Sequence, residues 1–425
     1  MLVGSSVRRV AIIGGTRIPF ARSMGVFAEA SNQEMLTASL KGLVDKFNLR
    51  GEVLGDVGAG AVLKHSKDFN LTRESVLDSG LAPETPAFDL QRACGTSLDT
   101  AIVLGLKIAT GQIDSAIAAG VDTASDVPIV YPTSYRKLLL RSARGRSLGE
   151  RLSPWANFRP GFLKPQLPGV SEPRTGMSMG QHCEKMAQTW QIPRADQDQL
   201  ALESHRKAAA AWDEGFYDDL VVPFRGLKQD NNIRRDTSIE KLAKLKPSFA
   251  ANGTLTAGNS TPMTDGSAAV LLASEEWAKT RGLPVLAYLT YGKYAAVDFV
   301  QKEGLLMAPA YAVPRMLADA KLTLQDFDIY EIHEAFEAQV LCTLKAWESA
   351  EFCRDRLGLS APLGSIDRSK MNLKGGSVAI GHPFAATGAR IIATLAKQLA
   401  QRGSGRGLIS ICTAGGMGVT AILER

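Results

Sequence analysis

The sequence predicts an α/β fold, and three observations lead to that prediction. Short runs rich in β-branched residues alternate with alanine-rich helical segments along the chain. The length of 425 residues fits two or three domain-sized units. With 45% hydrophobic and 22% charged residues, the chain can bury a large core, which excludes wholesale disorder.

The first α/β unit begins with a strand at residues 10–13, ending at a Gly-Gly pair. The segment GGTRIP that follows lacks the spaced third glycine of a dinucleotide-binding turn, and Pro19 interrupts the next helix, so that motif fails. The unit continues with three predicted elements: a strand at 88–90, a helix at 98–109 and a strand at 114–120.

Residues 123–246 differ from their flanks because they are rich in Pro, Arg, Met and loop-forming residues. Two amphipathic helices are predicted within them, near 176–191 and 194–213. Strand-and-turn chemistry returns with GTLTAGNSTPMTDGSAAVLLAS. The segment is therefore interpreted as an insertion between two α/β units.

The last 150 residues repeat the pattern of the first unit. The predicted elements are a strand at 327–332 that opens into a helix at Glu334, the helix ATGARIIATLAKQLAQ after a glycine-rich turn, and a hairpin pairing 408–412 with 419–423. DSAIAAGVD in the first unit and GLISICTAGG near the end each follow a long helix as a strand. This similarity hints at a duplicated unit.

Composition limits the class of protein. No run of about 18 apolar residues occurs, so no membrane-spanning helix is expected. The segment MLVGSSVRRVAIIGG has too few successive apolar residues after its Arg pair for a signal peptide. Five scattered cysteines argue against a disulfide framework and for a reducing compartment. We therefore expect a soluble, intracellular, enzyme-like chain.

The formal net charge of +6 is concentrated in residues 131–175. This basic stretch suits phosphates or an anionic membrane surface, and a solvated loop is the open alternative. Nucleic acid is not expected, because neither interleaved aromatic residues nor a recognition helix accompanies the charge. The stretch carries two acidic residues, Glu150 and Glu172, and nine basic ones: Arg136, Lys137, Arg141, Arg144, Arg146, Arg151, Arg159, Lys164 and Arg174.

Cys94, in QRACGTSLD, lies between a predicted strand and a predicted helix. Thr96 or Ser97 can cap that helix. A thiol at a helix N-terminus lies near the positive end of the helix dipole, so we expect its pKa to fall from about 8.5 toward neutrality. An inert buried cysteine remains the alternative at this point.

Three further residues lie in turns suited to chemistry. His382 stands between glycine and proline in GHPFAATGAR, and His333 opens HEAF at the carboxyl end of a strand, where open α/β sheets bind ligands. Cys412 begins CTAGGMG, a turn whose backbone N–H groups can hold an oxyanion. Structural histidines and a core cysteine are the alternatives. The absence of CxxC and HExxH motifs makes a metal site unexpected.

Five sequence blocks, spread over nearly the whole chain, occur in the order found in thiolases. The chain therefore resembles the thiolase family, and within it HEAF and GHPFAATGAR look most like the β subunit of the fatty-acid-oxidation trifunctional enzyme, a 3-ketoacyl-CoA thiolase. Many thiolases carry Asn at the position of His333 and Gly at those of Ala385 and Ala414. The blocks are QRACGTS, TLTAGN, HEAF, GHP with ATGAR, and CTAGGMG.

The resemblance implies an acyl-transfer mechanism. Cys94 attacks the 3-keto carbon of a 3-ketoacyl-CoA, and His382 takes the thiol proton. Cys412 protonates the departing acetyl-CoA carbanion and then deprotonates a second CoA, which resolves the acyl-enzyme. His333 and His382 form one oxyanion site, and the backbone N–H groups of Cys94 and Ala414 form the other.

The resemblance also implies a five-layered αβαβα fold of two duplicated halves with an inserted loop domain. The implied parts are an N-terminal half at 1–124 completed by 247–273, a loop domain at 125–246 and a C-terminal half at 274–425. The loop domain covers coenzyme A, which is a co-substrate, and no permanently bound cofactor is implied. Residues expected to line the coenzyme A channel are Ser248, Phe249, Ala257 and Thr261.

The expected partners follow from the same resemblance. They are acyl-CoA and CoA, a second copy in a homodimer, and a hydratase/dehydrogenase α subunit, with peripheral membrane contact through the basic stretch as a further option. The expected compartment is the bacterial cytoplasm, or the mitochondrial matrix if the source is eukaryotic. Acyl chain length depends on tertiary packing of the loop domain, so the residues leave it open.

Three other functions stay open from the sequence. An acetoacetyl-CoA thiolase (acetyl-CoA C-acetyltransferase) uses the same nucleophile and acid with a smaller acyl pocket. A β-ketoacyl synthase shares the fold but works with one cysteine and two histidines, so Cys412 argues against it. A non-catalytic, thiolase-like lipid carrier is expected to have lost Cys94, His382 or Cys412, and all three are present.

Overall fold

The computed structural model describes residues 7–169 and 171–425, so the first six residues, which the argument against a signal peptide included, lie outside the described part. Within that part the strands form one mixed, ten-stranded sheet. The strands are β1 (Val10–Arg17), β2 (Ala21–Arg22), β3 (Asp56–Ala59), β4 (Ala87–Asp89), β5 (Ser115–Asp122), β6 (Thr264–Ser274), β7 (Ala287–Ala296), β8 (Ile329–Ile332), β9 (Arg406–Thr413) and β10 (Met417–Glu424).

Helices surround the sheet, and no helix in the described residues is long and apolar enough to cross a membrane. The α-helices are α1 (Asn32–Lys46), α2 (Leu71–Leu77), α3 (Thr96–Ala109), α4 (Thr133–Arg144), α5 (Leu148–Leu152), α6 (Met179–Thr189), α7 (Arg194–Asp213), α8 (Ile239–Ala243), α9 (Glu275–Thr280), α10 (Ala308–Ala320), α11 (Glu337–Glu348), α12 (Ala350–Leu357), α13 (Ser377–Ile380) and α14 (Thr387–Arg402).

The strand order divides the sheet into two halves with the same connectivity. The first half has the order β4-β3-β5-β6-β1, and the second has β8-β9-β10-β7. Strand β8 corresponds to β3, and in the place of β4 the second half has only Met371, which forms a β-bridge to β8. Pairing of β1 with β7 joins the halves. DSAIAAGVD and GLISICTAGG form β5 and β9, which hold equivalent places, so the predicted duplication is confirmed.

Successive side chains of a strand point to opposite faces, so each half of the sheet has one outer face and one face toward the middle of the molecule. Helices cover all of these faces, which gives five layers. In β1, Ile13 faces an outer core and Ile12 the central core. In β9, Leu408 faces the other outer core and Ile409 the central one. Helix α1 packs on the outer face of the first half, α10 packs on that of the second, and α3 and α14 lie between the halves. The predicted αβαβα arrangement is therefore confirmed.

The two helices of the middle layer meet at their N-terminal ends. Gly388, in the first turn of α14, lies against the backbone of Leu98 in α3, where an added Cβ would overlap the Leu98 nitrogen. Across this contact the N–H of Ala389 donates a 2.8 Å hydrogen bond to Ser97 Oγ. Because glycine permits this close approach, the turns that precede α3 and α14 are brought together.

Residues 123–263 connect β5 to β6 and contain α4 to α8. The helices predicted near 176–191 and 194–213 are confirmed as α6 and α7. A buried ion pair ties this segment to the first half, since Arg17 donates hydrogen bonds of 2.6 and 2.7 Å to Asp230. The division into a loop domain at 125–246 and a returning segment at 247–273 stays a proposal.

The predicted cap of α3 is wrong. Gly95 is the N-cap, and no side chain caps the helix. The Thr96 hydroxyl donates instead to the carbonyl of Ala93, inside the preceding turn. The Ser97 hydroxyl accepts from α14, so it serves the contact between the two helices.

Two element boundaries also differ from the prediction. The helix expected at Glu334 begins at Glu337, because Phe336 is extended and forms a β-bridge with Ser260. Strand β1 does not end at its glycine pair but continues to Arg17, with a register shift where the glycines begin.

Replacing Gly388 with Ala is expected to lower the free energy of unfolding by about 1–3 kcal/mol, because the new methyl group forces α14 away from α3. Chemical denaturation followed by circular dichroism measures the change. Gly149→Ala is the matched control, since an added Cβ there meets no atom within 4 Å. Equal stability of the two variants would contradict the close-contact argument.

Candidate active site

Cys94 lies in a tight turn between β4 and α3. Ala93 has a φ of +43°, in the left-handed region that costs energy for a residue with a side chain. The N–H groups of Gly95 and Thr96 bond to the carbonyls of Arg92 and Ala93, which closes the turn. The turn places the partly buried Cys94 at the N-terminal end of α3.

His382 lies in the turn that leads into α14. Gly381, just before it, has a φ of +110°. Asp122 at the end of β5 accepts a 2.7 Å hydrogen bond from the N–H of Ala385 and so fixes this turn to the first half. His382 Nε2 lies 3.2 Å from Cys94 Sγ, although 288 residues separate them along the chain.

His333 directly follows β8. Asn372 holds the end of that strand, because its side-chain amide accepts from the N–H of Ile332 and donates to the Ile332 carbonyl. The His333 and His382 rings lie 4.2 Å apart, centroid to centroid. His333 Nδ1 lies 2.8 Å from Ser377 Oγ, whereas Nε2 is buried and has no hydrogen-bond partner among the described residues.

Cys412 and Ala414 lie at the end of β9 and in the turn toward β10. Cys412 is buried, and it lies close enough to Cys94 for a negative charge there to raise its pKa. The N–H of Ala414 lies close enough to the Cys94 sulfur to lower the pKa of that thiol. The N–H of Gly415 donates a 2.8 Å hydrogen bond to Glu172, which orders the turn.

The expected depression of the Cys94 pKa is wrong. Burial raises the pKa of the Cys94 thiol to about 12, although hydrogen bonds from the N–H groups of Ala414 and of Cys94 itself act in the opposite direction. The negative charge of Asp122 raises it further. A helix terminus contributes typically about 0.3–1 kcal/mol, which is less than the cost of desolvating a thiolate. Cys94 therefore rests as a thiol.

The two histidines rest in their neutral form. Burial, assisted by the charge of Arg390, lowers the pKa of His382 to about 3. Burial also lowers the pKa of His333, with His382 and Arg390 adding to the effect. A neutral imidazole 3.2 Å from a thiol can accept its proton as the sulfur attacks a carbonyl. Burial raises the pKa of Cys412, which keeps that thiol protonated as a proton donor.

The donor atoms of Cys94, His333 and His382 lie within 4.8 Å of one another. Thiolate and imidazole are ligands of Zn²⁺, so this spacing alone is compatible with a metal ion. The hydrogen bond between Cys94 and His382 supports a nucleophile–base pair instead. The expectation that the site holds no metal stays a prediction.

The four residues expected to bind coenzyme A lie on one loop, residues 248–261, between α8 and β6. Ser248 and Ala257 are exposed, and Phe249 and Thr261 are partly buried. The Phe249 ring packs edge-on against Phe336 at 5.8 Å, and the N–H of Thr261 donates to the carbonyl of Ala335. The loop therefore touches the HEAF segment that carries His333.

Side chains that hold the site together escaped the sequence reasoning. Asp122 accepts from three backbone N–H groups, and burial raises its pKa to about 7. Ser377 and Thr387 each contact the Nδ1 of one histidine. Arg390 is buried against Ser377. Thr387 and Arg390 lie inside the ATGAR block, which opens a predicted helix directly after His382. Their position in the first turn of that helix was the available signal that they lie near His382.

A cavity of about 820 Å³ lies apart from these residues. His182, Met186 and Phe299 contribute to its walls, and none of the catalytic candidates does. Phe299 also packs close to Gly416 of the CTAGGMG turn, so the cavity borders the site without containing it. Its mixed polar and apolar lining gives no measure of acyl chain length.

Solved structures with the same architecture include two acyl-CoA enzymes. The chain superposes on the Bacillus anthracis acetyl-CoA acetyltransferase with a TM-score of 0.83 and 28% identity, covering 99% of this chain and 100% of that one. It superposes on human mitochondrial 3-ketoacyl-CoA thiolase with a TM-score of 0.81 and 27% identity, covering 98% and 99% of the two chains.

Sequence comparisons agree with the structural ones. Curated relatives from Yersinia pestis and Yersinia pseudotuberculosis, both named 3-ketoacyl-CoA thiolase, are 40% identical over 423 residues, which covers 98% of this chain and 97% of theirs. The family model of the thiolase N-terminal domain matches residues 10–276, and that of the C-terminal domain matches residues 283–425. The chain belongs to the thiolase family.

Proposed function

We propose that the chain is a 3-ketoacyl-CoA thiolase, an acetyl-CoA C-acyltransferase of fatty acid β-oxidation. It cleaves a 3-ketoacyl-CoA with CoA to give acetyl-CoA and an acyl-CoA shortened by two carbons. The observation that carries the proposal is the 3.2 Å contact between Cys94 Sγ and His382 Nε2. The 40% identity to curated 3-ketoacyl-CoA thiolases over almost the whole chain supports the substrate class.

In the first half-reaction Cys94 is the nucleophile. Its sulfur attacks the C3 carbonyl while the thiol proton moves to His382 Nε2, which the low pKa of that imidazole keeps free to accept it. The C2–C3 bond then breaks, leaving an acyl thioester on Cys94. The electron pair goes to the departing acetyl-CoA as an enolate, which takes its proton from the thiol of Cys412.

In the second half-reaction a new CoA thiol gives its proton to the Cys412 thiolate and attacks the acyl-enzyme. The bond between the acyl carbon and Cys94 sulfur breaks, and the released thiolate takes back the proton held by His382. Both cysteines and the histidine thus return to their starting forms. Two thiols suit this exchange because one thioester replaces another, and the order of events predicts ping-pong kinetics.

Two groups of donors are available for the negative oxygens that develop. One consists of the backbone N–H groups of Cys94 and Ala414, both of which lower the pKa of the Cys94 thiol. The other consists of His333 Nε2, which has no partner among the described residues, together with His382 Nε2 once it is protonated. A donor of this kind is typically worth about 3–4 kcal/mol in the transition state.

Coenzyme A is proposed as co-substrate, with no permanently bound cofactor. Ser248, Phe249, Ala257 and Thr261 are proposed to contact it, because their loop packs against the HEAF segment. The compartment is proposed to be the bacterial cytoplasm, or the mitochondrial matrix in a eukaryote. A homodimer, and a complex with a hydratase/dehydrogenase α subunit, are the proposed assemblies.

An acetoacetyl-CoA thiolase is the second candidate, and the superposition on an acetyl-CoA acetyltransferase favours it. Both reactions would use Cys94, His333, His382 and Cys412, so the size of the acyl pocket distinguishes the two functions. The solved structures, at 28% and 27% identity, do not separate the two candidates, and the 3-ketoacyl-CoA thiolase is preferred because curated relatives with that name are 40% identical over almost the whole chain.

The basic stretch supports a further proposal, contact with an anionic membrane surface. Helices α4 and α5 lie on the outside of the molecule, and the apolar side chains of Leu140, Leu148 and Leu152 stay exposed beside their basic residues. Tyr135 packs against an aromatic cluster that includes Phe158. Exposed apolar groups among positive charges are typical of surfaces that bind anionic lipid.

Thiolysis of a long-chain 3-ketoacyl-CoA is expected to exceed that of acetoacetyl-CoA. Cys94→Ser should lower kcat for both at least about a thousandfold, because the serine hydroxyl is a poor nucleophile here. Chromatography of the CoA products measures the rates. Cys353→Ser, which removes a buried cysteine remote from the site, is the matched control. Activity on acetoacetyl-CoA alone would favour the second candidate, and binding without acylation of Cys94 would favour a carrier.

Alkylation of Cys94 is expected to accelerate about tenfold per pH unit from pH 6 to 9 without a plateau. The thiolate is the reacting form, and a thiol pKa of about 12 leaves its fraction rising throughout this range. His382, with a pKa near 3, stays neutral over the same range. Mass spectrometry of the Cys94 peptide after iodoacetamide gives the rate. A plateau near pH 7 would instead indicate a resting thiolate–imidazolium pair.

The membrane proposal predicts binding to vesicles with anionic lipid and weak binding to neutral vesicles. Reversing both Arg141 and Arg144 to Glu should weaken binding at least about thirtyfold, since each basic residue near the surface is worth about 1 kcal/mol. Flotation with vesicles measures it. Reversing the exposed Lys67 and Lys228 gives a control with the same change in net charge. Equal loss in both variants would indicate a net-charge effect only.

A further inference from the structure

The two histidines of the site have matching surroundings. Each contacts a hydroxyl group through Nδ1, Ser377 for His333 and Thr387 for His382. Each therefore has Nε2 left for chemistry: that of His382 faces Cys94 Sγ, and that of His333 is buried without a partner among the described residues. A neutral imidazole has one N–H donor and one acceptor nitrogen, so each hydroxyl decides what the opposite nitrogen can do.

At His333 the hydroxyl has to be the donor. Arg390 Nη2 donates to Ser377 Oγ over 2.9 Å, which occupies one lone pair of that oxygen. The hydroxyl hydrogen of Ser377 then has a single acceptor among the described residues, His333 Nδ1 at 2.8 Å. Ser377 and Arg390 are both buried, so leaving that hydrogen unpaired would be costly. His333 consequently carries its proton on Nε2.

At His382 the neighbouring groups favour the hydroxyl as the acceptor. Thr387 Oγ1 lies 2.6 Å from His382 Nδ1 and also 3.5 Å from the carbonyl of Pro383, to which only the hydroxyl hydrogen can donate. The thiol of Cys94 in turn needs an acceptor at Nε2, 3.2 Å away. Both contacts are satisfied when His382 carries its proton on Nδ1.

We propose that Ser377, oriented by Arg390, and Thr387 are positioning residues that hold His333 and His382 in opposite tautomers. His333 presents an N–H to the substrate oxygen, and His382 presents a lone pair to the Cys94 thiol. The division of labour between the two rings, which lie 4.2 Å apart, is set by the hydroxyl behind each. The catalytic consequence rests on the proposed thiolase function, whereas the tautomers themselves do not depend on it.

Nitrogen NMR of the chain labelled with ¹⁵N-histidine tests the tautomers directly, because protonated and unprotonated ring nitrogens differ widely in chemical shift. His333→Gln and His382→Gln assign the signals among five histidines. We expect a protonated Nε2 for His333 and a protonated Nδ1 for His382. The same tautomer for both rings, or the reverse pair, would overturn the inference whatever the activity.

Kinetics test the consequence. Ser377→Ala is expected to lower kcat for thiolysis about 10- to 100-fold with KM within about twofold, and a second His333 tautomer should appear in the spectrum. Thr387→Val should slow acylation of Cys94 by a similar factor, and Thr387→Ser, which keeps the hydroxyl, should restore it. Ser79→Ala, which removes a buried serine hydroxyl that bonds only within the outer layer of the first half, is the control.

The outcomes separate the two proposals. If the wild-type chain has the expected tautomers but cleaves no 3-ketoacyl-CoA, the proposed function fails and the positioning role stands. If thiolysis proceeds and Ser377→Ala and Thr387→Val both keep wild-type rates and tautomers, the positioning role is wrong and the function stands. A loss that Thr387→Ser fails to restore, together with unchanged tautomers, would reduce Thr387 to a packing role and also contradict the inference.

Discussion

The close approach of α3 and α14 is the constraint on which the site depends. Cys94 and His382 lie in the turns before these helices, and each is the hydrogen-bond partner of the other across the contact. The turns meet because Gly388 lets the backbone of α14 rest against that of Leu98, and Ala389 bonds across to Ser97. The proposed nucleophile and base are thus aligned by a helix contact in the middle layer, and a shift of that contact would move both.

Burial decides the protonation of the site more than any single charge does. It raises the pKa of Cys94 and Cys412 and lowers that of His333 and His382, so every group rests neutral. The charged Arg390 reinforces the effect on both rings. Both cysteines of the site are therefore thiols, not thiolates, before substrate binds. Charge appears only while the substrate is present, and the N–H groups around Cys94 are already placed to receive it.

The sequence alone was sufficient for the α/β class, the duplication and most elements, because hydrophobic periodicity and glycine-rich turns are local signals. The family resemblance supplied the candidate residues. Local sequence rules failed on the cap of α3 and on the pKa of Cys94, because the hydroxyls of Thr96 and Ser97 form other hydrogen bonds and because burial sets that pKa. Ser377 was missed because its role depends on Arg390, which lies thirteen residues later and donates a hydrogen bond to it.

The duplication brings two strand ends with different chemistry to one site. Asp122 is the last residue of β5, and Cys412 is the last but one of β9, the strand that holds the equivalent place in the second half. The aspartate faces the turn of His382 and holds it through the N–H of Ala385. Cys412 lies close to Cys94, where we propose that it donates a proton. Because β5 and β9 hold equivalent places, the duplication puts the end of one strand beside the turn of His382 and the end of the other beside the turn of Cys94, and the candidate site forms where these turns meet.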